Sequence, residues 1–439
     1  MDPYKPCTLS GSVWSTSFGD VLETEAKRLI STAEDSLPGD DNRLDLCALP
    51  TYTLDDAGTC EIDDALSLEI QGCEAWIWIH IADPARLILR DSPLDQEARR
   101  RATSLYLADG VLPMFPLALA AGPLSLRVGQ QSAALSVAIH LDDDGAIAKS
   151  YITRSWVRPR YGLTYADGDD LIEFAPPGDE SLAALSELLQ KRSQWRRQQG
   201  ALMFDRTEGR FRRSDGELLL QLVEPTPARL MVSEAMLLMG TVVAEFGRRE
   251  NLVLPFRSQP PAELPSQTEL DQLPKGPARD TAIKLCLSRS VQRTQPMAHF
   301  SLGLSAYVQA TSPIRRYLDL TAHYQIIACL EGHPPTSEND LSELIDDLDY
   351  LLRQSIQISR EDQHHWQQVW FAQRQGEHWK AEFLRWLRPH KRLALVYVDD
   401  LAMDLVGQVP HAKPKPGDHL VLSVNLAEPE RNELQLQLN

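Results

Sequence analysis

From Leu44 to Trp156 the apolar residues follow the two-residue period of β-strands. The segment "AWIWIHIA" (residues 75–82) puts Trp76, Trp78 and His80 on one face and Ile77, Ile79 and Ile81 on the other. Bulky groups on both faces predict a strand covered on both sides, with His80 a packed structural residue. "SAALSVAIHLDDDGAIAKSYITRSWV" (132–157) predicts two strands joined by an acidic turn that ends at Gly145. Helical spacing then takes over at 180–199, 229–249 and 340–359, with the Pro-rich connector "PFRSQPPAELPSQ" between the second and third. After about residue 377 the pattern returns to short strands broken by "KPKPGD", which fits a small OB-type barrel. Ahead of the first strands, Val21, Leu22, Ala26, Leu29 and Ile30 form a helical stripe closed by the breaker "LPGDDN". The expected organisation is α+β: an arm at 1–45, a main domain of mixed sheet and helices at 46–376, and a barrel at 377–439.

Hydrophobic residues at 43% supply enough apolar surface for substantial cores in 439 residues. No apolar run approaches the ~20 residues of a membrane span, and the first residues lack a signal-peptide pattern. The six cysteines form no Cys-x-x-Cys pair, which argues against a zinc site and a disulfide framework. A reduced, cytoplasmic, monomeric chain with no membrane contact is expected. The net charge of −18 speaks against a generic nucleic-acid binder. The bases are clustered, however, in Arg99–Arg101, "RSWVRPR", "KRSQWRRQQ", "RFRR" (210–213), "IRRY" and "RWLRPHKR". That distribution is compatible with a basic channel inside an acidic exterior.

The most concentrated chemistry is "TLDDAGTCEIDDAL" (53–66), with Asp55, Asp56, Glu61, Asp63 and Asp64 and no base. A solvated acidic loop is the plain reading. An EF-hand fails, because Gly58 at the sixth loop position puts Thr53 first and Ala57 fifth, where oxygen ligands are required. A Mg²⁺ site for phosphoryl chemistry is the third reading. In a regular strand Asp63 and Asp64 would face opposite sides, so a shared site requires a bend at a strand end. Asp55 would come from the other limb, through a turn at Ala57–Gly58.

The stretch "TLDDAGTCEIDDALSLE" resembles the catalytic signature of the ribonuclease II / ribonuclease R family, 3′-to-5′ exoribonucleases built on the RNB domain. "WIHIADPARLI", "ATSLYLADGVLPMFP", "GPLSLRVGQQSAALSVAIHLDDDG", "SEAMLLMGTVVAEF" and "HFSLGLSAYVQATSPIRRYLDL" continue that resemblance in order over roughly 46–370, and the terminal barrel looks like the family's S1 domain. The resemblance implies a Mg²⁺ site at Asp55, Asp63 and Asp64, with Glu61 where much of the family has aspartate. It further implies catalytic roles for Asp63, for Arg315 beside the scissile phosphate and for Tyr165 at the reaction end point. Tyr106 and Phe204 would stack bases, and Glu234 would lie near the ribose. Relative to larger members, the two cold-shock barrels have no counterpart in the forty residues before the catalytic part, and an acid of some members is Arg360 here. The implied function is Mg²⁺-dependent hydrolysis of single-stranded RNA to 5′-mononucleotides. The alternatives are an RNA-binding or regulatory protein on the same scaffold, and a magnesium-dependent phosphatase. The barrel's first strand, with Lys380, Arg385, Arg388, Lys391 and Arg392, is expected to track phosphates outside the channel.

Overall fold

The computed structural model describes residues 4–214, 216–411 and 413–439. Its centre is a seven-stranded sheet in the order Leu44–Asp45, Ile147–Val157, Ser132–Leu141, Glu74–Ala82, Asp64–Gln71, Thr51–Asp55 and Tyr161–Thr164. The five inner strands pair antiparallel and the two edge strands pair parallel. The sheet therefore begins inside the expected arm: Leu44 and Asp45 are already paired with Ser155 and Trp156. Arg43 anchors that start by donating to Asp83 at 2.6 Å with both side chains fully buried.

Glu74–Ala82 is covered on both faces, as its residues require. Ile77, Ile79 and Ile81 pack into one core with the helices Ser181–Gln198 and Pro227–Arg249. Trp76, Trp78 and Ala82 pack into a second core with helices Asp20–Ser31, Pro93–Arg101 and the first half of Glu338–Ala372. His80 is wholly buried between two serines: its Nε2 lies 3.0 Å from Ser67 Oγ and its Nδ1 lies 2.7 Å from Ser136 Oγ. Pro227–Arg249 is long and apolar enough to cross a membrane by composition, but its apolar side is spent on the sheet.

The acidic turn at Gly145 has φ +90°, and a Cβ there would come within 2.7 Å of the Lys191 carbonyl oxygen. Glycine lets the turn seat directly on the helix Ser181–Gln198. The Pro-rich connector holds a short strand, Phe256–Ser258, paired with Val291–Arg293.

The C-terminal strands His378–Arg388, Leu393–Val398, Met403–Gln408, Glu433–Leu438 and His419–Glu428 close into a five-stranded barrel. Its core is not its own alone. Trp366, Trp370 and Phe371 from the end of the long helix Glu338–Ala372 pack into it, together with Phe211 of the hairpin Glu208–Ser214/Glu217–Val223. Gly209 of that hairpin donates its N–H to the Ala402 carbonyl at 2.9 Å.

Candidate active site

The antiparallel register of Thr51–Asp55 and Asp64–Gln71 holds only at Thr51–Ser67 and Tyr52–Leu66. Beyond Tyr52 the two strands splay, and residues 56–63 span the gap at the sheet's end. Gly58, at φ +84°, and a Thr59 N–H bond to the Asp56 carbonyl form the turn. The second strand begins at Asp64, so Asp63 lies in the loop and both can turn to one site. Ser125 fixes that loop, its Oγ accepting from Ile62 N–H at 2.9 Å.

Each acid then meets a different fate. Asp63 is 3% exposed; its Oδ1 accepts from Ile314 N–H at 3.1 Å and its Oδ2 from Arg315 Nε at 2.9 Å. Both oxygens are thus committed, and Asp63 holds Arg315 in place. Burial pulls the Arg315 guanidinium down, but Asp63 with Tyr106 and Asp319 together keep the group above its ordinary value. Glu61 accepts the Tyr106 hydroxyl at 2.8 Å on Oε2, while its Oε1 is buried without a partner. Burial raises the Glu61 carboxyl despite that bond. Among the described residues the Asp55 and Asp64 carboxylates have no hydrogen-bond partner. Burial and the repulsion of Asp64 and Asp63 push Asp55 up to about 8, and burial with Asp63 pushes Asp64 up to about 7. A cluster that resists its own ionisation at neutral pH is short of positive charge.

The donors are all oxygen, as hard divalent cations require, and a buried carboxylate oxygen of Glu61 lacks any partner. Among the described residues no three acids, histidines or cysteines converge into a ready-made metal cage. The arrangement fits a cation held by Asp55 and Asp64 with solvent completing the shell, which is the habit of Mg²⁺. In this geometry Asp63 also anchors Arg315.

These groups sit at one end of a cavity of about 1290 Å³. Tyr106 and Tyr165 line it, as do Arg210, Arg212 and Arg213 from the hairpin, Arg229, Arg315 and Arg360. Burial and the neighbouring Asp64 and Asp55 raise Tyr165 well above an ordinary phenol. The Arg229 guanidinium stacks 4.0 Å over the Tyr165 ring and also pairs with Asp56. Arg229 carried no sequence signal, because its partner lies 173 residues away. Arg360, noticed only as a departure from a pattern, turns out to line the cavity.

Two expectations differ from this structure. Glu234 is 4% exposed and gives both oxygens to Arg196, at 2.7 and 2.5 Å. This ion pair engages both oxygens, and Glu234 does not line the cavity. Phe204 does not line it either; Lys284 Nζ lies 4.6 Å over its ring, and Leu202 N–H ties its loop to the Ser301 carbonyl at 2.9 Å. Tyr106 and Phe204 are thus not opposite walls of one slot in this structure. The barrel's basic cluster, expected outside the channel, is not in this lining, to which the barrel contributes Met403.

A mixed sheet whose end gathers acids under a fixed arginine, beside a basic hollow, defines a protein shaped for phosphate esters. The chain belongs to the RNB domain family, whose sequence model matches residues 43–332. That family generally uses a divalent metal. An uncharacterized ribonuclease of Synechocystis sp. is 41% identical, over 91% of this chain and 60% of its own length. The chloroplastic/mitochondrial ribonuclease II of Arabidopsis thaliana is 36% identical, over 96% of this chain and 53% of its own length. The chain thus spans a little over half the length of these curated relatives. Among solved structures, Mycoplasma genitalium RNase R in complex with ribose-methylated single-stranded RNA superposes with a TM-score of 0.84. It is 19% identical, with 98% of this chain and 76% of that one covered, a likeness of fold.

Proposed function

We propose that this protein is a Mg²⁺-dependent hydrolytic 3′-to-5′ exoribonuclease that degrades single-stranded RNA to 5′-mononucleotides. The observation that carries the reading is the contrast within the acidic cluster. Asp55 and Asp64 are pressed together without partners, while Asp63 spends both oxygens on Arg315 and the chain beside it. The relatives named ribonuclease II and ribonuclease support the substrate class.

Asp55 and Asp64 would hold the cation, whose chemistry is to lend positive charge to the scissile phosphate. Arg315 gives its Nε to Asp63 and so presents its remaining donors to the cavity, where they match phosphoryl oxygens. Hydrolysis forms a bond from a water oxygen to phosphorus and breaks the bond from phosphorus to O3′ of the preceding nucleotide. Arg315 stabilises the charge that builds on the equatorial oxygens. Tyr106, fixed by Glu61, offers a ring for stacking on any base, as a sequence-tolerant degrader needs. Arg210, Arg212 and Arg213 offer phosphate contacts along the cavity wall.

The test is a denaturing gel of 5′-labelled single-stranded RNA with protein and Mg²⁺, with a DNA control and an Asp63→Asn arm. The expected result is a descending ladder on RNA, absent in excess EDTA and in Asp63→Asn. RNA that is retarded on a native gel yet never shortened would instead establish a binding protein on this scaffold.

A further inference from the structure

Arg315 and Arg316 are consecutive but serve different spaces. Arg315 faces Asp63 in the catalytic cavity, whereas Arg316 pairs with Asp319 at 2.6 Å and lines a second cavity of about 960 Å³. The wall between them is the segment at Thr103, which bridges Arg316 and whose Oγ1 donates to the Arg315 carbonyl at 2.9 Å. A smaller hollow of about 390 Å³ adjoins both spaces. It shares Tyr106, Arg360 and Gln363 with the catalytic cavity, and Thr103, Ser355 and Ile356 with the second. The three spaces are neighbours that share lining residues.

The second cavity carries more positive charge than its own acids neutralise. Arg316 and Arg353 are paired, with Asp319 and Asp349. Among the described residues Arg257, Arg289 and Arg293 form no salt bridge, and the remaining acid of this lining is Asp346. Arg257 is half-buried and donates to two neutral oxygens, Ser290 Oγ at 3.0 Å and Gln309 Oε1 at 2.7 Å. Its burial, with Arg316 and Arg289 nearby, lowers its proton affinity. Asp319 offsets part of this, and a half-buried guanidinium whose hydrogen-bond acceptors are neutral oxygens favours an added anion. The volume lies within the ~300–1,000 Å³ range of small-ligand sites.

We propose that the arginine-lined cavity behind Arg316 binds a 5′-phosphorylated mononucleotide and is the station through which the product leaves. This rests on the exoribonuclease reading. A polymer threaded into the catalytic cavity fills its mouth with phosphates, so a freed monophosphate dianion cannot retreat past it without meeting repulsion. Arg257, Arg289 and Arg293 supply the charge to receive the phosphate, and Met297, Leu352 and Ile356 supply apolar surface for the nucleoside.

Calorimetric titration of the full chain with 5′-AMP in EDTA tests this without turnover. Expected are one binding site, no heat with adenosine, and at least tenfold weaker binding in Arg289→Gln/Arg293→Gln. Both arginines are exposed, so the double variant retains its fold, checked by thermal melting. Undiminished 5′-AMP binding in that variant overturns the site. Inorganic phosphate binding as tightly as 5′-AMP overturns its assignment to a nucleotide. A short RNA oligomer that outcompetes 5′-AMP through the same arginines overturns the product role in favour of a second RNA track. Asp63→Asn should still bind 5′-AMP. If no RNA ladder forms but 5′-AMP binds through Arg289 and Arg293, the nucleotide site stands and the exoribonuclease reading falls. The reverse pattern removes only the site.

Discussion

Asp63 shows how little of a residue's role lies in its identity. The family resemblance suggested a metal ligand beside Asp55 and Asp64, and its loop position at a strand end was legible from the two-residue strand period. Its commitment to Arg315 was not, because that partner arrives from 252 residues away. Glu234 failed for the same reason: nothing local announces that Arg196 closes on both its oxygens. The Arg315 fork yields a first prediction. Arg315→Lys keeps the charge but cannot bond Asp63 through Nε while directing further donors at phosphate. Its kcat on a short RNA oligomer is expected to fall by ~10²–10³, the range seen when one transition-state donor is lost. Thermal stability should change little, and an unchanged kcat would refute the role. His80 gives a second. Burial lowers its pKa from 6.5 to about 3, so it stays neutral in the fold while the unfolded chain takes up a proton. The depressed value means its share of stability is intact above pH 6.5 and is lost as pH falls toward 3. The slope is ~1.4 kcal/mol per pH unit inside that window. His80→Gln, with an amide between the same two serines, should narrow the difference between urea midpoints measured at pH 7 and pH 5.

At the scale of elements, the sheet and the major helices were readable because their periodicity is strong and their burial two-sided. The hairpin Glu208–Ser214/Glu217–Val223 was visible in the sequence only as a basic cluster, since its function depends on what it lies against. Gly209 determines that contact: a Cβ there would meet the Leu401 carbonyl oxygen at 1.9 Å, and backbone cannot step aside cheaply. Gly209→Val is expected to lift the hairpin from the barrel, costing ~1–3 kcal/mol as overpacking does. Arg210 and Arg212 would move with it. Affinity for long RNA should drop in this variant. In Arg210→Gln/Arg212→Gln the slope of log affinity against log salt should shrink by about one unit per lost phosphate contact. Filter binding across a salt series measures both; identical slopes in the parent and the double variant would exclude the hairpin as a phosphate track.

Over the whole molecule, the strands after residue 377 suggested a separable module, and the barrel closure agrees with the pattern. What periodicity could not show is that the barrel borrows its filling. Trp366, Trp370 and Phe371 leave the long helix to occupy the same core as Phe383, Val396 and Leu422. Trp370→Ala should therefore cost ~3–5 kcal/mol, as large-to-small changes at buried aromatics do. Scanning calorimetry should show one unfolding transition that moves as a unit. Two transitions, with only the upper or lower one shifted, would mean that barrel and sheet melt independently. Truncation before Glu377 should strip those three aromatics of their cover and give an aggregating product. The helix that lends them, Glu338–Ala372, is 35 residues, a rod of ~50 Å at 1.5 Å per residue. Along its length it braces the second core, walls the catalytic cavity with Arg360 and Gln363, and ends inside the barrel. It is a strut between them. Because the same 35 residues are packed into the barrel at one end and the second core at the other, a displacement of the barrel reaches Arg360 and Gln363 as a displacement of the cavity wall, with no slack between to absorb it.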